Sequence, residues 1–309
     1  MDAVIQALAV ANAPCSYGAF EDTVGIYDGL PEPEQVLDHI ASSGYDGTDL
    51  GPFGWLGKGE ALAAALSSRG LDLAGGYLEL PFSEPGRMDG ALAELDRLLG
   101  LFEVVAPTQR VPPRPTLADH GSSLRRSNPG RAQEDPALRL DDDGWERLSR
   151  GVTRALVRCR ERGFEPTFHH HANSHVEAPR EIERLLEITD IDLCLDTGHL
   201  LVGGGDPITA VRDWRDRINH IHVKDCRTDV VRGIVDERAP AIEIWRRKAF
   251  CRLGGGDLDL DGFLSEVRRM GYEGWLVVEQ DGILDERWPL EQAMRDQASN
   301  RTYLRERGL

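Results

Sequence analysis

Hydrophobic positions along the chain alternate between short apolar runs and longer amphipathic stretches. Short runs at 8–14, 44–50, 71–78, 102–106, 167–171, 191–196, 218–223 and 275–279 predict β-strands. The intervening stretches at 31–43, 58–69, 87–99, 143–162, 178–188, 206–216, 260–270 and 290–305 predict helices. Leu92, Leu95, Leu98 and Leu99 recur at helical spacing, and Pro33 and Pro179 sit in predicted first turns, where a missing N–H does no harm. Eight strand–helix units imply an α/β fold, a single (β/α)8 TIM barrel spanning residues 1–309. An open doubly wound sheet is the alternative, but no GxGxxG follows the first strand.

Two segments interrupt the repeat. Residues 107–142 follow the fourth predicted strand and are rich in Pro, Arg, Asp and Ser; residues 227–252 follow the seventh and include a short helix around 242–248. Both insertions lie on the strand-to-helix side, where barrel loops build and cover active sites, so a lid is expected. For 107–142 a floppy loop or an oligomer contact is the competing reading. Its basic run at 123–131, SLRRSNPGR, reads as a solvated loop.

Charge and composition narrow the function. The formal charge of −17 over 309 residues disfavours a nucleic-acid binder or an anionic-membrane binder, both of which need basic patches. No apolar run reaches the length of a membrane span. The apolar start carries Asp2 and no basic segment, which disfavours a secretory leader and reads as a lead-in to the first strand. Five scattered cysteines without a CxxC pair fit reduced thiols, and the expected location is cytoplasmic.

The chemistry gathers at the ends of the last four strands. His169, Asp196, His222 and Glu279 each stand at or near the end of a predicted strand, and side chains at the ends of successive parallel strands converge on one barrel mouth. Singly, each is more ordinary: a hydrogen-bonded histidine, or an aspartate capping a turn. Together, imidazole and carboxylate without sulfur suit one divalent ion, Mn²⁺ or Co²⁺ first, with Zn²⁺, Fe²⁺ or Mg²⁺ as alternatives. His171 and Lys224 lie two residues beyond His169 and His222, hence on the same face, and His199 is close enough to reach the same mouth. His171, His199, Lys224, Glu79 and Asp49 are the expected substrate contacts; His170 is expected to face away, into the layer between barrel and helices.

The fragments HHHANSHVE (169–177), LDTGH (195–199), GGDP (204–207), DRINHIHVKD (216–225) and LGGGDLDLDGFL (253–264), leading to GWLVVEQD (274–281), resemble the xylose isomerase-like barrel superfamily of sugar isomerases, epimerases and dehydratases. SGYDGTDLGPFG (43–54) and LAGGYLEL (73–80) are consistent with it. The combination is most similar to the myo-inosose-2 dehydratase-like members. The resemblance implies one divalent cation held at the ends of strands five to eight, with Asp196, His222 and Glu279 as ligands. His169 takes the place of the usual strand-five glutamate, either as a ligand or as a substrate contact.

The implied reaction is metal-assisted chemistry on a polyhydroxy ketone, a keto-sugar or keto-inositol, through an enediolate. Glu279, His169 or His171 would remove the α-proton, with His199 a further candidate. Loss of the β-hydroxyl makes the protein an inosose dehydratase-like lyase. Return of the proton elsewhere makes it an isomerase or epimerase, by a 1,2-proton shift or inversion at C3. An abasic-site endonuclease of the same barrel would need more ligands from strands two to five and a basic face. A sugar-binding barrel without turnover is the remaining alternative. The expected partner is a small polyol or keto-sugar, with no nucleic acid and no membrane; a homo-oligomer is compatible with the acidic surface.

Overall fold

The computed structural model describes residues 8–309. The reading of the apolar start therefore lies largely outside the described residues. Among those residues, eight parallel strands close a barrel: β1 (Ala9–Asn12), β2 (Gly47–Asp49), β3 (Asp72–Leu80), β4 (Arg114–Asp119), β5 (Thr167–His169), β6 (Asp192–Asp196), β7 (Ile218–Val223) and β10 (Trp275–Val278), with β10 pairing back to β1. A separate antiparallel pair, β8 (Asp225–Cys226) and β9 (Phe250–Cys251), brackets the insertion after β7. The outer layer includes α1 (Pro33–Ser43), α2 (Gly59–Ser67), α3 (Met88–Val105), α5 (Asp142–Glu161), α6 (Pro179–Ile188), α8 (Pro207–Trp214), α11 (Leu260–Arg269) and α12 (Leu290–Arg305). No described helix is long and apolar enough to cross a membrane.

Strand alternation separates two environments. Phe168, Leu193, Leu195, Ile221, Val223, Leu276 and Val278 point outward into the main core beneath the helices. Ala11, Ala13, Trp275 and Val277 point inward and form a small separate cluster inside the barrel. A Cβ at Gly47 would stand 2.8 Å from the Trp275 ring, so the glycine makes room for it. Apart from Cys194, the inward positions toward the ends of β5, β6 and β7 are polar, His169, Asp196, His220 and His222, and that departure from a filled apolar interior marks the site.

The fourth strand differs from expectation. Residues 102–106 do not form it: Phe102 and Val105 continue the buried stripe of α3 begun by Leu95, Leu98 and Leu99. Strand β4 lies inside the segment read as an insertion, where its sequence RPTLAD hides a short apolar core between an arginine and an aspartate. The loop after β4 is also not simply solvated. Arg125, on the one-turn helix α4 (Ser123–Arg126), is only 1% exposed. Its guanidinium donates to both Glu181 oxygens at 2.9 and 3.0 Å, to Glu177 Oε2 at 3.1 Å and to the Leu138 carbonyl at 3.2 Å. Glu177 Oε1 accepts from the backbone N–H groups of Gly130 and Asn173, so the same knot ties the loop after β4 to the loop after β5.

The second insertion is ordered as α9 (Thr228–Glu237) and α10 (Ile242–Arg246). Its base is fixed by Asp225, whose carboxylate accepts from the backbone N–H groups of Cys226, Gly254, Gly256 and Leu258 at 2.8–3.0 Å. A Cβ at Gly256 would fall 2.4 Å from Asp225 Oδ1, which gives the LGGGD run its local purpose.

Removing Arg125 would leave two buried carboxylates without a counter-charge. Arg125→Ala is expected to lower stability to urea by about 3–5 kcal/mol. A loss below about 1 kcal/mol, the range of a solvated surface pair, would contradict a closed knot.

Candidate functional site at the barrel mouth

Register places the site. Asp196 and His222 are Cα partners across β6 and β7, and Glu279 follows the last residue of β10, its N–H bonded to the Val223 carbonyl. One ligand atom each from Asp196, His222 and Glu279 lie within 4.8 Å of one another, all buried. His222 Nδ1 is 3.1 Å from Glu279 Oε2 and 3.7 Å from Asp196 Oδ2. His169 Nε2 is 3.3 Å from the same Asp196 oxygen. Asp196 divides its oxygens: Oδ1 accepts from the His199 N–H and caps α7 (Thr197–Val202), leaving Oδ2 for the cluster.

Lys224 enters this cluster from beyond β7. Its Nζ is 3.1 Å from Asp196 Oδ2, 2.9 Å from Glu279 Oε2, 2.8 Å from Asp281 Oδ2 and 3.0 Å from His199 Nε2. Thr197 Oγ1 accepts from the Lys224 N–H and donates to the Lys224 carbonyl, both at 2.8 Å, fixing the strand end. A Cβ at Gly198 would lie 2.6 Å from Lys224 Cγ, so the glycine of the LDTGH run leaves the channel for the lysine stem.

The electrostatics follow from burial. Burial alone would push the Lys224 ammonium toward neutrality, but Asp196, Asp281 and Glu279 outweigh it and hold its pKa well above the ordinary lysine value. Burial likewise disfavours the Asp196 carboxylate, yet Lys224, His199, the hydrogen bond from His169 and the nearby His222 ring hold it well below the usual range. Glu279 is lowered against its own burial by His222 and Lys224. Burial lowers His169 to about 3, so its imidazole is neutral at pH 7.

Three carboxylates face one ammonium and one imidazole, His222, that the cluster holds above its ordinary pKa despite burial, so the cluster keeps net negative charge, which a divalent cation would offset. Both His222 nitrogens are buried and have no hydrogen-bond partner among the described residues. An orphaned imidazole between two carboxylates fits a metal ligand, and the mixed N/O donors suit a borderline ion. The cluster is a candidate divalent-metal site.

The pocket above it has an aromatic wall. His171, beyond β5, packs against His199 with ring centroids 3.9 Å apart and stacks on Trp245 of α10 at 6.1 Å and 21°. Phe20 and Tyr77 also line the pocket, and Phe250 packs edge-on against His199. Glu79 stands at the exposed rim, accepting from the Tyr77 hydroxyl at 2.8 Å. Asp49 is buried at the end of β2, and burial raises its pKa to about 6. His170 points away from the mouth: its Nε2 accepts from the Asp196 backbone N–H at 3.1 Å.

Sequence reading passed over Asp281, Trp245 and Cys15. Asp281 had a signal, since it stands two residues beyond Glu279 and alternation puts both on one side. Trp245 arrives from an insertion helix whose position no strand pattern indicates. Cys15 lines the pocket, and its one sequence signal is its place just past β1.

A model of the family described as xylose isomerase-like TIM barrel matches residues 37–303. The chain belongs to the xylose isomerase-like TIM barrel family. An inosose dehydratase of Geobacillus kaustophilus is 30% identical over 285 residues, covering 91% of this chain and 90% of the relative. The rhizopine catabolism protein MocC of Rhizobium meliloti is 34% identical over 270 residues, covering 84% of this chain and 78% of the relative. Among solved structures, the IOLI protein with a binding zinc atom superposes with a TM-score of 0.69 at 12% identity, covering 96% of each chain, a likeness of fold.

The lowered Asp196 and Glu279 groups set a pH dependence. Their folded pKa values lie below the unfolded ones, so they add stability above about pH 4 that is lost as pH falls toward the folded values. Metal-free protein should therefore melt at progressively lower temperature on acidification from pH 5 to pH 3 (roughly the span over which the unfolded carboxylates protonate). In Lys224→Met the carboxylates lose their ammonium and are held down less, by the histidines alone, so the fall in melting temperature on acidification should be smaller. Parallel curves for the two proteins would contradict the ion cluster.

Proposed function

We propose that this protein is an inosose dehydratase-like lyase that removes water from a cyclic polyhydroxy ketone, using one divalent ion held by Asp196, His222 and Glu279. The observation that carries the reading is the convergence of those three donors with Lys224 at the mouth. The similarity to inosose dehydratases along nine-tenths of the chain supports the reaction class. Mn²⁺ or Co²⁺ fits the donor set first.

A divalent ion bound here would supply Lewis-acid polarisation of the ketone oxygen. The side chains of the pocket divide the remaining work. His171 Nδ1 lies 2.8 Å from the Ala172 carbonyl, an acceptor, so Nδ1 carries the proton and Nε2 keeps its lone pair. That makes His171 the base that takes the proton α to the carbonyl. The C–H electron pair moves into an enolate, placing negative charge on the ketone oxygen; as the ketone re-forms, the pair makes the new C=C, the β C–O bond breaks, and the hydroxyl leaves as water with the proton that His171 took. The resulting enol becomes the diketone; one water is lost and no redox partner is needed. Lys224 places positive charge beside the oxygen on which negative charge develops. Neutral His169 has one unpartnered ring nitrogen, Nδ1, to offer as a metal ligand or as a hydrogen-bond contact to substrate. Trp245 and Phe20 offer apolar faces to the C–H groups of a ring.

Charge on the walls favours an uncharged substrate. Asp22, Asp49, Glu79, Glu279 and Asp281 line the pocket, and Lys224 is the one lysine or arginine among the described lining residues. A phosphorylated or carboxylated sugar would meet like charge.

Incubation of metal-loaded protein with 2-keto-myo-inositol is expected to generate diketone absorbance, lost on chelation and restored by Mn²⁺. His171→Phe should lower kcat by about 10²–10⁴-fold. Turnover of ketohexoses without any diketone signal would replace the dehydratase reading with an isomerase or epimerase.

A further inference from the structure

Beneath the mouth the barrel interior remains polar where side chains of this fold usually fill it with branched apolar groups. Asp49 at the end of β2 and His220 and His222 on β7 bring one oxygen or nitrogen each within 4.8 Å of one another, at 4%, 0% and 2% exposure. Asp49 Oδ1 accepts from the Gly51 N–H at 3.4 Å, whereas Oδ2 has no partner among the described residues; the same holds for both nitrogens of His220 and of His222. Gly75 keeps the space open. A Cβ there would stand 3.2 Å from Asp49 Oδ2, 3.1 Å from Thr116 Oγ1 and 2.9 Å from the Arg114 carbonyl.

The two nitrogens of an imidazole point in diverging directions. His222 Nδ1 faces Glu279 and Asp196 at the mouth. Nε2 therefore faces the layer below. An imidazole that offers Nδ1 as a lone pair carries its proton on Nε2, and a buried N–H requires an acceptor. Besides the rings of His169 and His220, two further neighbours are near. Cys194 Sγ lies within 4.8 Å of a His222 nitrogen, but sulfur accepts weakly. Asp49 supplies the anionic oxygen, already buried and unpaired.

We propose that Asp49, with His220 beside it, fixes the tautomer and orientation of His222 from below, directly or across one bridging water, and is thus a positioning residue for the metal site. Metal-ligating histidines generally give their other N–H to a carboxylate or a water, and that partner sets ligand orientation and basicity. The role differs from the substrate contact expected of Asp49 from sequence. It rests on the reading of His222 as a ligand.

The test is Mn²⁺ affinity without substrate, measured by competition with a chelating indicator dye, for the full chain and for Asp49→Asn, His220→Gln and His222→Ala. Asp49→Asn is isosteric and should keep the fold, checked by circular dichroism. It should weaken Mn²⁺ binding by about 10–100-fold while still reaching one ion per chain. ¹⁵N NMR of the Zn²⁺-loaded protein should show the His222 proton on Nε2, and His220→Gln should weaken Mn²⁺ less than Asp49→Asn. If Asp49→Asn binds Mn²⁺ within about twofold of the unmodified chain while His222→Ala loses it, the positioning role is overturned and the metal reading stands. If His222→Ala also binds normally, both are overturned.

Discussion

The site depends on the balance of charge around the Lys224 ammonium. Asp196, Glu279 and Asp281 approach it within 3.1 Å in a region almost closed to water. None of these groups is tolerable there alone, since an unpaired buried charge costs several kcal/mol. Ion and counter-ions therefore form one unit, and the surrounding structure keeps that unit assembled. Its net deficit of positive charge leaves the mouth suited to a cation rather than closed as a salt bridge.

Three local devices hold the unit in register. Asp196 spends one oxygen on the start of α7 and keeps the other for the site. Thr197 and Gly198 guide the Lys224 backbone and stem. Asp225, the next residue, gathers four backbone N–H groups and sets the base of the insertion that carries Trp245 over His171. On the other side, the Arg125 knot fixes the loop that follows His171. The polar centre and the walls of the pocket are thus fastened by separate bonds, so a change in one wall need not undo the centre.

Much of this was legible from the chain. Strand–helix alternation gave the barrel, and His169, Asp196, His222 and Glu279 fell at strand ends because parallel strands point their C-terminal side chains to one mouth. The failures have physical reasons. The run at 102–106 was apolar enough for a strand, but its Phe102 and Val105 extend the periodic stripe of α3. The true β4 was masked by Arg114, Pro115 and Asp119 at its ends. Arg125 looked solvated because its partners, Glu177 and Glu181, lie more than fifty residues away. Asp49 could be placed near the mouth, but that its free oxygen faces inward, toward Gly75, is a fact of packing alone.

The most direct measurement is anomalous diffraction from a crystal soaked in Mn²⁺. A single anomalous peak is expected between β6, β7 and β10, with oxygen of Asp196 and Glu279 and nitrogen of His222 at about 2.0–2.3 Å, the usual range for such donors. Density placed elsewhere, or an ion at the mouth that does not touch His222, would contradict the account.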